Sequence, residues 1–334
     1  MTFRTAGIHH ITAIAGDPQG NVDFYCGVLG LRLVKRTVNF DAPDVYHLYY
    51  GNETGQPGTA MTFFPKRGAQ RGRIGGGQVG RTVFAVPPGA LVFWEKRLRR
   101  FGIPIERLER FGETFLGFAD RDGLELELVE RQEGSPSTWS FGGVPVENAI
   151  KGFGGALLYS RDPLETLDVL ENVLGLEPAG TSDDGQYIRL RAQGSLGHII
   201  DVKLETVPGG LGGAGTVHHI AWRAANLPEQ EGWRQRAATA GLNVTPIVDR
   251  KYFTSLYFRE RGGILFEIAT DGPGFAVDEP VESLGRQLML PPWLEPYRED
   301  ITRNLDPLKV RVLAEDRAER PPLGTESNEP ADCG

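Results

Sequence analysis

Four of the six histidines in this chain of 334 residues stand in two side-by-side pairs: His9-His10 in "GIHHITA" and His218-His219 in "TVHHIAW". Neutral imidazole is the commonest protein ligand for a transition metal. A lone histidine on a strand is more often a hydrogen-bonded core residue, and a lone carboxylate before a turn is more often solvated. The same dipeptide placed twice, in similar apolar runs, favours ligands instead. The chemistry it suggests is a metal centre that needs an anionic donor from elsewhere in the chain.

The elements that would bring such donors together emerge as repeats. "CGVLGL" and "ENVLGL" share VLGL; 18 residues before Val28 stands His10, and 18 before Val173 stands Gly155. Each interval holds a short apolar strand, an Asp-Pro turn (Asp17-Pro18, Asp162-Pro163) and an amphipathic helix, with Leu164, Leu167, Leu170 and Leu174 at helical spacing. Two further units begin at "VGRTVFAV" and "HHIAWRA", with Gly102 and Gly241 each 22 residues after Gly80 and His219. Strand-like runs follow every helix, ending in "GTAMTFF", "DGLELELVE", "GHIIDVKLE" and "GGILFEIAT". The fold class is therefore α+β, with four βαβββ units at roughly 7–65, 77–130, 151–205 and 215–271. The expected organisation is an N-terminal domain over 1–130, a linker over 131–150, a C-terminal domain over 151–275 and an extension over 276–334, disordered after about 314.

On this repeat the first strands read HH, VG (Val79-Gly80), GG and HH, and one position of the last strands reads Thr62, Glu127, Asp201 and Glu267. If units one and four are neighbours, His10, His219 and Glu267 converge on one cation. Two imidazoles and a carboxylate with open positions opposite are the ligand set of non-haem Fe(II) oxygenases. Threonine at position 62 keeps the count at three. Adjacent strand residues point to opposite faces, so one histidine of each pair is expected to ligate; periodicity alone leaves either face open.

The stretches "GIHHITAIAGDPQGNVDFYCGVLGLRLVKRTVNFD", "VYHLYYGNETGQPGTAMTFFP", "TVHHIAW", "YFTSLYFRERGGILFEIATDGPGF" and "ESLGRQL" resemble the vicinal oxygen chelate superfamily of glyoxalases, bleomycin-resistance proteins and extradiol dioxygenases. They are closer to its ring-cleaving dioxygenases of hydroquinones. The resemblance runs from about residue 7 to 290. It implies two half-barrel pairs, with units one and four sharing a metal site whose ligands are His10, His219 and Glu267. It also implies active-site roles for His9, Thr12, His218 and Tyr257, Fe(II) as cofactor with Mn(II) as a substitute, dioxygen as co-substrate and a small aromatic substrate. The family carries extra residues, an active-site arginine among them, between "DRK" and "YF". Here Asp249-Arg250-Lys251 runs straight into Tyr252-Phe253, so Arg250 or Arg259 is left to take that part. A divalent-metal glyoxalase-type isomerase or epimerase, or a non-catalytic binder of aromatic ligands, is the alternative; four protein ligands are usual in the former, and Thr62 weighs against it.

The bulk composition agrees with a globular enzyme: 40% hydrophobic and 24% charged residues, with no apolar run long enough for a bilayer. The net charge of -8 argues against nucleic-acid and membrane partners. Two cysteines, Cys26 and Cys333, make no disulfide framework, and with no secretory signal at the N-terminus the expected location is cytoplasmic, with a homo-oligomer as the expected self-partner. "GGGQVG" matches a dinucleotide fingerprint by letters only, because a strand follows it rather than precedes it. "KRLRR" (Lys96–Arg100) reads as a solvated helix face. "LMLPPWLEPYRED" reads as a segment packed across the body or against another subunit, and His47 and His198 read as structural.

Overall fold

The computed structural model describes residues 4–317. Its strands are β1 (Ile8–Ala15), β2 (Arg32–Asn39), β3 (Ala42–Gly51), β4 (Ala60–Pro65), β5 (Gln78–Val86), β6 (Glu106–Arg110), β7 (Glu113–Ala119), β8 (Glu125–Glu130), β9 (Gly152–Tyr159), β10 (Glu177–Thr181), β11 (Tyr187–Arg191), β12 (Ile199–Lys203), β13 (Thr216–Ala224), β14 (Val248–Asp249), β15 (Thr254–Arg259) and β16 (Leu265–Thr270). They form two eight-stranded half-barrel sheets, in the orders β14-β15-β16-β13-β1-β4-β3-β2 and β10-β11-β12-β9-β5-β8-β7-β6. The first sheet joins units one and four, and the second joins units two and three. Each sheet thus takes one unit from either side of the 131–150 linker, so the sequence halves 1–130 and 151–275 are not the two sheets.

Helices α1 (Pro18–Val22), α2 (Leu91–Arg100), α3 (Pro163–Asp168) and α4 (Leu227–Thr239) cross over within the units. Asp17 and Asp162 cap α1 and α3 by accepting from Gly20 N and Glu165 N, with Pro18 and Pro163 opening the first turn. Both helices widen into a π-helical turn, at Asp23–Val28 and Val169–Val173. The buried face of α3 is Pro163, Thr166 and Leu167, continued by Leu170 and Leu174; Leu164, about 100° round from Pro163, is 72% exposed. A single apolar core runs through both sheets and includes Phe63, Phe118, Leu170 and Trp222.

The ladder at the centre of each sheet is bulged twice. Between β1 and β13, Ile8 faces Trp222 and His10 faces Ala221, which leaves His9 as the extra residue; Thr12 faces His219 and Ala13 faces Val217, which leaves His218. Between β5 and β9 the extra residues are Gly80 and Gly154. Bulges re-aim side chains, and here they free the histidine pairs from strict alternation. The bulge residues His9 and Gly80 occupy the same position of the two strands, so His10 corresponds to Arg81, not to Gly80.

The C-terminal extension covers the β2 edge, which would otherwise offer unpaired backbone groups. Met289 N donates to Arg36 O at 2.9 Å, Leu290 packs with Val38 and Ile301, and the fully buried Lys35 pairs with Asp278 and Glu279. Helix α5 (Arg298–Asn304) follows, then α6 (Ala314–Arg317). Residues 314–317 are therefore ordered, against the expectation of disorder from about 314, and the rest of that expected segment, with Cys333, lies outside the described residues. The reason sits in "KRLRR", which is not wholly a solvated face. Arg97 is buried and donates to Val28 O and Gly27 O, both at 2.7 Å, to Gly142 O and to Asp316. A guanidinium with that many acceptors holds helix α2, the linker and the tail together. Arg97→Met leaves those carbonyls without their donor and Asp316 with Arg100 alone. It should cost about 3 kcal/mol or more, as breaking buried pairs does, read as a lowered urea midpoint; adding Asp316→Leu should recover part of the loss.

Candidate metal centre

His10 and His219 sit on adjacent antiparallel strands, and Glu267 on β16 pairs beside β13, opposite Ala221. His10 Nε2 lies 3.3 Å from His219 Nε2. Glu267 Oε2 lies 3.4 Å from the first and 2.9 Å from the second. All three residues are buried. Ser255 Oγ donates to Glu267 Oε1, whereas Oε2 accepts no hydrogen bond of normal geometry. Burial pushes the Glu267 carboxyl up, but the facing imidazoles outweigh it and hold it well below the usual carboxylate range. A buried, ionised oxygen without a donor, converging with two ring nitrogens, fits a divalent cation.

The neighbouring histidines set the protonation of the cluster. His9 Nε2 is 3.1 Å from Thr270 O. A carbonyl only accepts, so this nitrogen carries the proton. Burial first, then the charge at His10, lowers the His9 pKa well below the ordinary value, so His9 is neutral and its Nδ1 holds a lone pair. That lone pair accepts from His10 Nδ1, 2.9 Å away, which turns His10 Nε2 to the cluster. A cation bound there replaces any proton on that nitrogen. His218 Nδ1 and His219 Nδ1 are 2.8 Å apart, and a cation on His219 Nε2 likewise requires His219 to donate from Nδ1. His218, however, has no carbonyl behind it: it borders a cavity of about 510 Å³, with its pKa lowered to about 4 by burial and by His219.

That cavity opens in front of the cluster. Its walls include Phe40, Tyr49, Phe64 and Phe253, with His47, Arg250 and Tyr257 as polar groups. Of the residues expected to act, His218 and Tyr257 face it. Thr12 is buried in the wall, its hydroxyl 2.8 Å from Thr62 Oγ1, and His9 lies behind. Tyr257 stands across from Glu267 on β15, 5.8 Å from the His219 ring by centroids. It does not pair with Phe266, which packs on Phe258 instead. Burial and the Glu267 charge raise its hydroxyl pKa, so it is a proton donor. Arg250 lies 5.7 Å from the Tyr257 ring centroid and reaches Asp41 at 3.0 Å. Arg259 is exposed and donates to Gly263 O. So Arg250, not Arg259, is the guanidinium at the cavity.

His47, read from the sequence as structural, belongs to the site. Its Nε2 is 2.9 Å from Thr62 Oγ1 and its Nδ1 2.8 Å from Tyr49 OH. The signal was available in "YHLYY": His47 and Tyr49 share a face at period two, and Tyr49 pairs with Thr62. His198 is remote, as expected; it borders a different cavity with Arg4 and Arg191.

In the second sheet the equivalent positions are filled differently. Arg81 stands where His10 does, and Glu127 and Asp201 where Thr62 and Glu267 do. Arg81 Nη1 donates to Glu127 at 3.1 Å, Arg110 bridges Glu127 (3.0 Å) and Asp201 (2.9 Å), and Arg189 takes Asp201 at 2.7 Å. Guanidinium groups there supply the positive charge.

The profile of the Glyoxalase/Bleomycin resistance protein/Dioxygenase superfamily matches residues 7–128 and 152–268. A Bacillus subtilis protein with the provisional name ring-cleaving dioxygenase MhqO is 56% identical over 313 residues, 94% of this chain and 100% of its own. The chlorohydroquinone/hydroquinone 1,2-dioxygenase of Sphingobium indicum is 37% identical over 322 residues, 92% of this chain and 98% of its own. A crystal structure from Bacillus subtilis, provisionally named a dioxygenase, superposes with a TM-score of 0.91 at 56% identity, covering 93% of this chain and 100% of that one. Glyoxalase I from Zea mays shares the fold alone, with a TM-score of 0.59 at 14% identity over 79% of this chain and 92% of its own.

Two outcomes follow from the histidines. His9→Ala removes no ligand, yet it should weaken divalent-metal affinity by roughly 10–100-fold, the usual effect of removing a ligand's orienting partner, as read by chelator competition. Separately, burial and then Arg191 lower the His198 pKa to about 4, while an unfolded histidine titrates near ~6.5. Between those values the unfolded chain binds the extra proton, so stability is lost as pH falls through that window. Thermal melts of the metal-free protein should decline from pH ~6.5 towards ~4, and less steeply in His198→Gln.

Proposed function

Because the chain belongs to the glyoxalase/bleomycin resistance protein/dioxygenase superfamily and to its ring-cleaving dioxygenase family, we propose that it opens the ring of a hydroquinone-type phenol with dioxygen, at Fe(II) held by His10, His219 and Glu267. The carrying observation is the orphaned Glu267 Oε2 facing Nε2 of His10 and of His219 at the floor of an aromatic-walled cavity. A bound divalent ion there supplies Lewis acidity towards a phenolic hydroxyl and one-electron chemistry towards dioxygen.

The chain's own residues supply the rest. Phe40, Phe64 and Phe253 flank a flat ring and keep water from it. His218, neutral at working pH, presents Nε2–H to the cavity while its Nδ1 accepts from His219; it can donate to a substrate oxygen and pass a proton to one. Tyr257 donates from the other side, held near Arg250, whose charge favours a phenolate or other oxyanion at that end of the cavity. Thr62, tied to Thr12 and His47, keeps a fourth protein ligand out of the cluster, unlike the four-ligand arrangement that a glyoxalase-type isomerase would use.

The test is oxygen uptake by anaerobically purified, Fe(II)-reconstituted protein offered methylhydroquinone and catechol in parallel. Uptake with methylhydroquinone alone is expected. Uptake with catechol alone would move the enzyme to ortho-diols, and none with either would favour an isomerase or a binding protein. Glu267→Gln should bring oxygen uptake to background while anaerobic binding of methylhydroquinone to the cavity persists within a few-fold.

A further inference from the structure

Behind the site lies a second cavity, of about 240 Å³. Phe253 belongs to the walls of both cavities, so a single aromatic ring separates them. That ring lies 5.0 Å from the His10 ring and 5.2 Å from the His9 ring by centroids. His9 itself borders the rear cavity, anchored by its bond to Thr270 O. The remaining wall is largely apolar, with Pro57, Tyr252, Phe275 and Ala276. Its carboxylate, Asp271, is neutralised by Arg223 through two bonds of 2.9 and 2.7 Å.

We propose that this rear cavity is the dioxygen path to the metal ligands, with Phe253 as the partition that dioxygen passes. The inference rests on the dioxygenase reading and goes beyond it. A flat aromatic substrate in the front cavity covers the ligand cluster from that side, so the second reactant must approach from another. The rear cavity reaches the same histidine pair across one ring. The apolar part of this wall, at Phe253 and Phe275, suits small apolar species such as xenon. Dioxygen, uncharged and without a dipole, belongs to that class.

Two measurements test it on the full-length protein. Crystals pressurised with xenon should show xenon between Phe253 and Phe275; an empty rear cavity overturns the proposal whatever the activity. Ala276 is exposed on the outer rim, and Ala276→Trp should lay an indole across the opening. With dioxygen and methylhydroquinone varied independently, this variant should raise the KM for dioxygen several-fold and leave the KM for the hydroquinone in place. An unmoved dioxygen KM, with the indole seen in the opening, overturns the path while leaving the dioxygenase intact. No oxygen uptake by the wild type with any phenol would instead sink the dioxygenase reading, and the path with it.

Discussion

A backbone carbonyl has no proton to give, and the state of the whole centre follows from that fact at one residue. Thr270 O takes the Nε2 proton of His9, His9 Nδ1 must then accept, and His10 must donate from Nδ1 and turn its Nε2 inward. No solvent exchange or external base is needed to select this tautomer, because each partner is buried. The second pair repeats the inner bond without the outer anchor, so His218 keeps a free ring nitrogen at the cavity. One pair is thus locked for ligation, and the other couples ligation to whatever occupies the front of the site.

The duplicated sheet shows what the same scaffold does without imidazole. Carboxylates at the end-strand register are fully buried in both sheets, and an ionised buried oxygen requires a cation. Around Glu127 and Asp201 the chain provides its own in Arg81, Arg110 and Arg189. Around Glu267, among the described residues, it provides His10, His219 and Ser255. The difference between a metal centre and a structural ion cluster comes down to which side chains occupy corresponding positions on matching strands.

Much of this was legible in the letters. VLGL and the Asp-Pro caps carry the repeat, because a helix start demands an acceptor at its first turn and a strand-helix-strand unit has a set length. The histidine pairs and Glu267 fall at matching offsets, so a shared site needs only units one and four to be neighbours, while the choice of the second histidine in each pair rests on the family resemblance. Other features depend on geometry that no periodicity encodes. A bulge adds a residue without a sequence marker, so the letters do not show that His9 matches Gly80 and His10 matches Arg81. His47 enters the site through a cross-strand neighbour, Thr62, and Arg97 is buried by a tail more than two hundred residues away. Leu164 is exposed because the buried stripe of α3 runs through Pro163, Thr166 and Leu167 instead.

The pairing of units is nested: the first closes with the fourth around a second and third that close with each other. During synthesis the inner sheet has all its strands once residue 203 has emerged, while β1, with His9 and His10 on it, still lacks its neighbour β13. Such long-range closure is slow and leaves an unpaired strand in the meantime. A nascent chain therefore carries one complete half-barrel and one open one until β16 leaves the ribosome. With the proposed ligand set, metal loading is an event of the finished polypeptide: a fragment cut before Glu267 keeps at most the two imidazoles of that set.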